Sequence, residues 1–456
     1  MILDAAGYVT DVPYLRNFIR PTMPAWLDHV AVVSGFAPPD RNAGFAWCDL
    51  GCGHGVTAAI LAATHPKATV YGIDIMPVHI DHARRLAADA AIRNATFAVA
   101  DFDSAAELDL PSFDYIVSHG VYSWVDKRVR ESWRRFVDRH LKPGGFVYVS
   151  YNAMPGRATD LPLQRLLRAL AQTMPGNSQE RLSPALEIVN ELVDLKAPAL
   201  ITSPMATRLK RKGGTQDRPL PFLTHEFMSA SWDVLCVTDV RADLAEIGLQ
   251  PVGSATLIEN YDSFVLGRAA RERLATIGDR NARELVRDFL INQSFRRDVF
   301  VRGGRRLTEN ERRSWLLDNS YALALPANEV EFVMSTPAGR LNFDNPASRH
   351  IVHALASGPR RLADIADPSI ETQDLVANAL TLCASNAVWP VESNRSPVAK
   401  VNSTIFTRLT GPEEINWLAL PFGTAVPVDH EQLLSFRDGA AGGLYDWLRS
   451  SIKIIK

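Results

Sequence analysis

The chain has 456 residues, 46% hydrophobic and 22% charged, with a formal net charge of −2. That length exceeds one ordinary domain and suggests several folding units, each apolar enough to bury a core. The near-neutral balance excludes an electrostatic case for a nucleic-acid or membrane partner.

Met1 to Pro13 carries Asp4 and Asp11 and no long apolar run, so no secretory signal is read there. Tyr14 to Val33 has helical spacing, broken by Pro21 and Pro24. Strands and helices then alternate. Strands are read at 46–50, 69–73, 95–99, 113–117 and 146–150, and helices at 57–64, 77–91 and 127–141. Such alternation predicts a parallel sheet covered by helices. Helices follow at 161–173, 184–195 and 232–247, with a basic loop at 208–214. A strand over 249–257, a helix over 281–291 and a strand over 295–302 return the chain to the sheet. From 349 to 384 the spacing is helix, turn, helix, longer helix, with a strand or wing at 386–390 and a last helix at 444–453. No apolar run approaches the roughly 20 residues of a membrane-spanning helix. Cys48, Cys52, Cys236 and Cys383 lack the partners of a zinc site, so no metal is expected; they read as reduced thiols in a cytoplasmic setting.

The chemistry sits in Asp49-Leu50-Gly51-Cys52-Gly53-His54-Gly55, a glycine loop leaving one strand and entering a helix. Gly51 permits a tight turn, while Gly53 and Gly55 let main chain approach a ligand at a helix N-terminus. Asp74 ends the next strand, placed to accept both ribose hydroxyls of a nucleoside. Asp101 ends the third, able to accept from an adenine amino group, with Phe102 beside the ring.

These motifs, with 113–117 and Leu141-Lys142-Pro143-Gly144-Gly145, resemble the ordered motifs of class I S-adenosylmethionine methyltransferases over residues 45–152. The G-x-G-x-G spacing differs from the G-x-G-x-x-G of dinucleotide folds. A narrower resemblance rests on Asp11-x-x-Tyr14-x-x-x-Phe18-x-x-Pro21, His119 to Val125, Tyr151-Asn152-x-x-Pro155-Gly156 and Leu223-Thr224-His225-Glu226-Phe227. It is similar to bacterial methyltransferases with a methyltransferase regulatory domain, a group that includes rickettsial protein lysine methyltransferases. Asn152-Ala153-Met154-Pro155 departs from that group's more aromatic pattern.

The resemblance and the order of elements along the chain together predict an α/β fold: a Rossmann-like class I methyltransferase sheet with a helical insertion and, from the spacing after 346, a C-terminal winged-helix-like α+β domain. The expected boundaries are 1–155, 156–224, 225–303 and 304–456. The resemblance implies S-adenosyl-L-methionine as cofactor, held by Tyr14, Asp49, Gly51, Cys52, Gly53, Gly55, Asp74, Ile75, Asp101, Phe102 and His119. Tyr122 and Trp124 are expected to line an aromatic acceptor channel, with His119 a cofactor contact or base. His225 and Glu226 read more readily as a helix N-terminal pair than as catalytic groups. The acceptor is expected to be a protein lysine, with a small metabolite or natural-product intermediate as the alternative. A DNA-binding regulator is disfavoured, because 305–456 holds fifteen Lys and Arg against seventeen Asp and Glu. That segment reads as a protein-contact or dimerisation unit, which allows a homodimer.

Overall fold

The computed structural model describes residues 7–209, 218–393, 396–408 and 414–428. After helix α1 (Pro24–Val33) come β1 (Ala46–Leu50), α2 (Val56–Thr64), β2 (Thr69–Asp74), α3 (Pro77–Asp89), β3 (Ala95–Val99), α4 (Phe102–Ala106), β4 (Phe113–Ser118), α5 (Lys127–His140) and β5 (Leu141–Asn152). Two later strands, β6 (Leu249–Ser254) and β7 (Phe295–Arg302), complete a seven-stranded sheet of order β3-β2-β1-β4-β5-β7-β6. The first five strands are parallel; β7 runs antiparallel to both β5 and β6.

Strands buried on both faces read as continuous apolar runs, which is why β1 and β4 stand out in the sequence. Successive side chains alternate faces. Trp47, Tyr115 and Tyr148 enter the core beneath α1 and α2, whereas Cys48, Ile116 and Val147 enter the core on the opposite face with Trp133 and Phe136 of α5. Each such side chain contributes about 1.5–3 kcal/mol by leaving water.

The helices between Leu161 and Met228 have a small core of their own, built on Leu163, Leu167, Leu186, Leu223 and Phe227. The second helix there begins at Ser178, earlier than its sequence reading, because Asn177 and Glu180 form a capping box ahead of Pro184.

Beyond β7, Ser320–Leu323 pairs with Arg360–Arg361 on one side and Val388–Val391 on the other. Helices Pro346–Leu355 and Thr372–Ala384 stand where the first and last helices of that segment are read; between them the turn carries the short strand Arg360–Arg361, and Leu362–Ile365 is a single 3-10 turn. The apolar cluster beneath α1 and α2 runs without a break into this region, taking in Tyr321, Leu382, Trp389 and Leu418. Arg20 stacks on Trp389 at 3.5 Å and donates to the Ala425 carbonyl at 2.8 Å. The helix read at 444–453, and most of the basic loop, lie outside the described residues.

Two helical readings are corrected. Residues 14–19, the start of the helical spacing read from Tyr14, carry no regular structure, because side chains distant in sequence take their peptide groups: His79 accepts from the Tyr14 amide and Thr57 from the Ile19 amide. Residues 232–236 are likewise not helical. The Leu235 amide donates to the Asn152 carbonyl and the Asp233 amide to the Ser123 carbonyl, so the helix starts at Val237.

Candidate active site

Strand order reverses between β1 and β4, the place where open α/β sheets bind ligands. A cavity of about 560 Å³ opens there, within the usual range for small-molecule sites. Its wall brings together Tyr14, Asp49, Gly51, Cys52, Gly53, Asp74, Ile75, Asp101, Phe102, His119 and Trp124.

The glycine loop is fastened to the end of β2. The Gly51 and Cys52 amides donate to the Ile73 carbonyl at 2.8 and 3.1 Å, and the Gly53 amide donates to Asp74 Oδ2 at 2.9 Å. Asp74 Oδ1 accepts from the Met76 amide at 2.9 Å and from His79 Nδ1 at 3.1 Å. The carboxylate is thereby oriented before any ligand arrives. Gly51 is needed because its φ is +86° and a Cβ would lie 2.4 Å from Val121 Cγ2.

Asp49 is buried beside Asp74. Burial first, and the neighbouring charge second, push its carboxyl up to about 8. An acid whose folded value exceeds its unfolded one, about 3.9, stabilises the protein below that unfolded value. The contribution is lost as pH rises through 8. Asp49→Asn is therefore expected to melt above the wild type at pH 8, with the difference vanishing near pH 4; paired thermal scans across that range check the sign.

Asp101 spends one oxygen capping α4, accepting from the Ser104 amide at 2.7 Å. Its other oxygen makes no described contact. His119 is half-buried with Nδ1 2.8 Å from the Tyr148 hydroxyl, and desolvation pushes it down to about 3. It is neutral and a weak base. His225 is likewise held near 4, chiefly by burial.

Two expected site residues lie elsewhere. Tyr122 is 1% exposed and packs edge-on to Trp133 in the core, off the cavity wall. The turn whose Trp124 amide donates to the Val121 carbonyl sends these two rings to opposite sides. Gly55 also leaves the wall: its Cβ position lies 2.5 Å from Ala83 Cβ and 2.9 Å from Phe97 Cε1, so it serves helix-to-sheet packing.

The sequence reading missed Tyr8, His79, Phe295 and Arg297, all on the wall. Phe295 and Arg297 arrive because β7 pairs antiparallel with the far end of β5, Phe295 opposite Asn152. Only His79 left a local signal, five residues after Asp74 in the first turn of the following helix. His225, which lines the same wall, donates from Nε2 to the Val12 carbonyl at 2.7 Å.

The residues present fit a nucleoside with a charged amino-acid tail. Gly53, at φ +54°, has nothing within 4 Å of its Cβ position, an open cradle on the wall. Asn152 Nδ2 is buried without a partner among the described residues.

Residues 48–147 match the family model described as a methyltransferase domain, and residues 221–302 match the predicted methyltransferase regulatory domain. An uncharacterised protein of Synechocystis sp. is 32% identical over 442 residues, covering 94% of this chain and 87% of that one. The trans-aconitate 2-methyltransferase of Methylobacterium radiotolerans is 34% identical over 127 residues, 28% of this chain and 44% of that enzyme. Among solved structures, PKMT2 from Rickettsia typhi in complex with AdoHcy superposes with a TM-score of 0.71 at 19% identity, covering 96% of this chain and 90% of that one. Motifs, sheet order and matched family models agree, and the chain belongs to the class I S-adenosylmethionine-dependent methyltransferases that carry the methyltransferase regulatory domain.

Proposed function

We propose that this enzyme methylates the amine of a lysine side chain on a protein, presented at the aromatic end of the cavity. S-adenosylmethionine supplies an electrophilic methyl group on a sulfonium. Asp74 takes the ribose hydroxyls, and the uncommitted oxygen of Asp101 takes the adenine amino group, with Ile75 and Phe102 against the ring. Gly51, Cys52 and Gly53 carry main chain past the amino-acid tail, whose ammonium favours the charged form of Asp49 beside it, and Tyr14 closes over it.

The observation that carries the acceptor reading is the wall beyond these residues, where Tyr8, Trp124 and Phe295 line the same cavity. Aromatic faces receive a cationic side chain and strip its water. A lysine ammonium, near 10.4 in water, falls when desolvated and sheds its proton without a dedicated base. That suits a site whose two wall histidines, His119 and His225, are poor bases. Holding the amine in line with the methyl group is worth up to about 7–11 kcal/mol in the best cases.

A second reading has its own observation. Arg297 lines the wall with a hydrogen bond to Thr256 and a contact with the Phe295 ring, and no carboxylate partner among the described residues. A guanidinium so placed suits a small acidic acceptor. Incubating the enzyme with methyl-tritiated cofactor and a lysate of its host separates the two. Label on lysine, located by mass spectrometry, is the expected result; label confined to small molecules sinks the protein reading and favours the second.

A further inference from the structure

Residues 8–19 cross the cavity as a strap, placing Tyr8, Tyr14, Leu15 and Asn17 on its wall. Histidines from three separate elements hold it. His54, in the glycine loop, donates from Nε2 to the Tyr14 carbonyl at 2.9 Å. His225, in the helix Leu220–Met228, takes the Val12 carbonyl and, at Nδ1, lies 3.1 Å from the Tyr8 hydroxyl. His79, in α3, accepts from the Tyr14 amide at Nε2, 3.1 Å away.

The last bond fixes a tautomer. An Nε2 that accepts from an amide leaves the ring proton on Nδ1, and that proton is donated to Asp74 Oδ1. A neutral imidazole carries a donor nitrogen on one edge of a rigid ring and an acceptor nitrogen on the other, so one side chain can serve both partners at once. His79, 2% exposed, therefore joins two things the fold could have kept apart: the carboxylate at the end of β2 and a peptide group of the strap.

We infer that His79 is a positioning residue that makes filling of the nucleoside site and closure of the N-terminal strap one event. The inference rests on the cofactor placement proposed above. With the strap closed, Nε2 is occupied, the ring is locked and Asp74 holds its orientation toward the ribose. With the strap open, Nε2 loses its partner, the ring is free to turn and the carboxylate loses one of its three donors. Ligand binding that favours the oriented carboxylate must then favour the closed strap by the same free energy.

The two bonds can be cut one at a time, because the amide of asparagine reaches the place of Nδ1 and that of glutamine the place of Nε2. His79→Asn keeps the Asp74 contact, and His79→Gln keeps the strap contact. Calorimetric binding of AdoHcy and hydrogen exchange of residues 8–19, with and without AdoHcy, are read on the full chain. In the wild type, saturating AdoHcy is expected to slow strap exchange about tenfold or more. His79→Asn should bind within about threefold of the wild type while its strap stops responding to the ligand. His79→Gln should keep a slow strap but lose about tenfold in affinity. Variants that bind and protect like the wild type overturn the link. Should either variant fail to fold, the wild type decides alone: tight AdoHcy binding with an unresponsive strap overturns the inference and spares the cofactor placement. No AdoHcy binding at all by the folded wild type overturns both.

Discussion

Asp74→Ala is expected to weaken AdoHcy binding by about two to three orders of magnitude, the largest functional loss from any single cavity residue. A charged acceptor contributes about 1.5–3 kcal/mol per hydrogen bond, and two ribose hydroxyls are proposed to share this carboxylate. The loss should exceed that of removing any one neutral donor, since the Gly53 and Met76 amides are also left without their acceptor and the glycine loop loses its tie to β2. Calorimetry measures the affinity, and circular dichroism establishes that the variant remains folded. A dissociation constant within threefold of the wild type would falsify the placement of the ribose at Asp74.

Gly55→Ala should produce the largest loss of stability, with a melting temperature lowered by about 10 °C. The backbone at φ +72° costs an L-residue about 1–2 kcal/mol, and forcing a methyl into the Ala83 and Phe97 contacts adds about 1–3 kcal/mol. A loss of that size shifts the melting point of a domain of 150–250 residues by about 2–4 °C per kcal/mol. Gly53→Ala, two residues earlier in the same loop, is the contrast. Its Cβ meets no protein atom, so only the backbone term of about 1–2 kcal/mol applies, while the new methyl intrudes where the amino-acid tail is proposed to lie. Differential scanning calorimetry with and without AdoHcy reads both effects. Equal melting points for the two variants would contradict the assignment of Gly55 to packing.

These neighbouring glycines show where sequence reading reaches its end. A glycine in a loop announces an unusual φ or a close approach, but what approaches it is set by other strands and helices. Gly51 meets Val121, Gly55 meets Ala83, and Gly53 meets open space. The strands themselves were legible because buried parallel strands are continuous apolar runs, and Asp49, Asp74 and Asp101 were legible because acids closing such runs stand at strand ends. The strap was not. Its spacing of Leu15, Phe18 and Ile19 imitates a helix, but its peptide groups bond to His54, Thr57 and His79, some 40 to 65 residues away. Tyr122 and Trp124 look equivalent two residues apart, and one tight turn separates them. Phe295 and Arg297 belong to a strand that joins the sheet only after a long excursion, so nothing local to them points to the cavity.

The unbroken apolar cluster linking α1 and α2 to the region beyond residue 320 leaves no clean seam for a scalpel. Dividing the chain after β7 would strip cover from Trp26 and Phe18 on one fragment and bare Trp389 and Leu418 on the other, while Arg20 would lose both its stacking surface and its acceptor. A minimal catalytic fragment made by trimming back to the seven-stranded sheet would carry a raw greasy flank. The distal region thus shares in holding together the glycine loop's own scaffold, since α2, which that loop enters, stands on the same cluster.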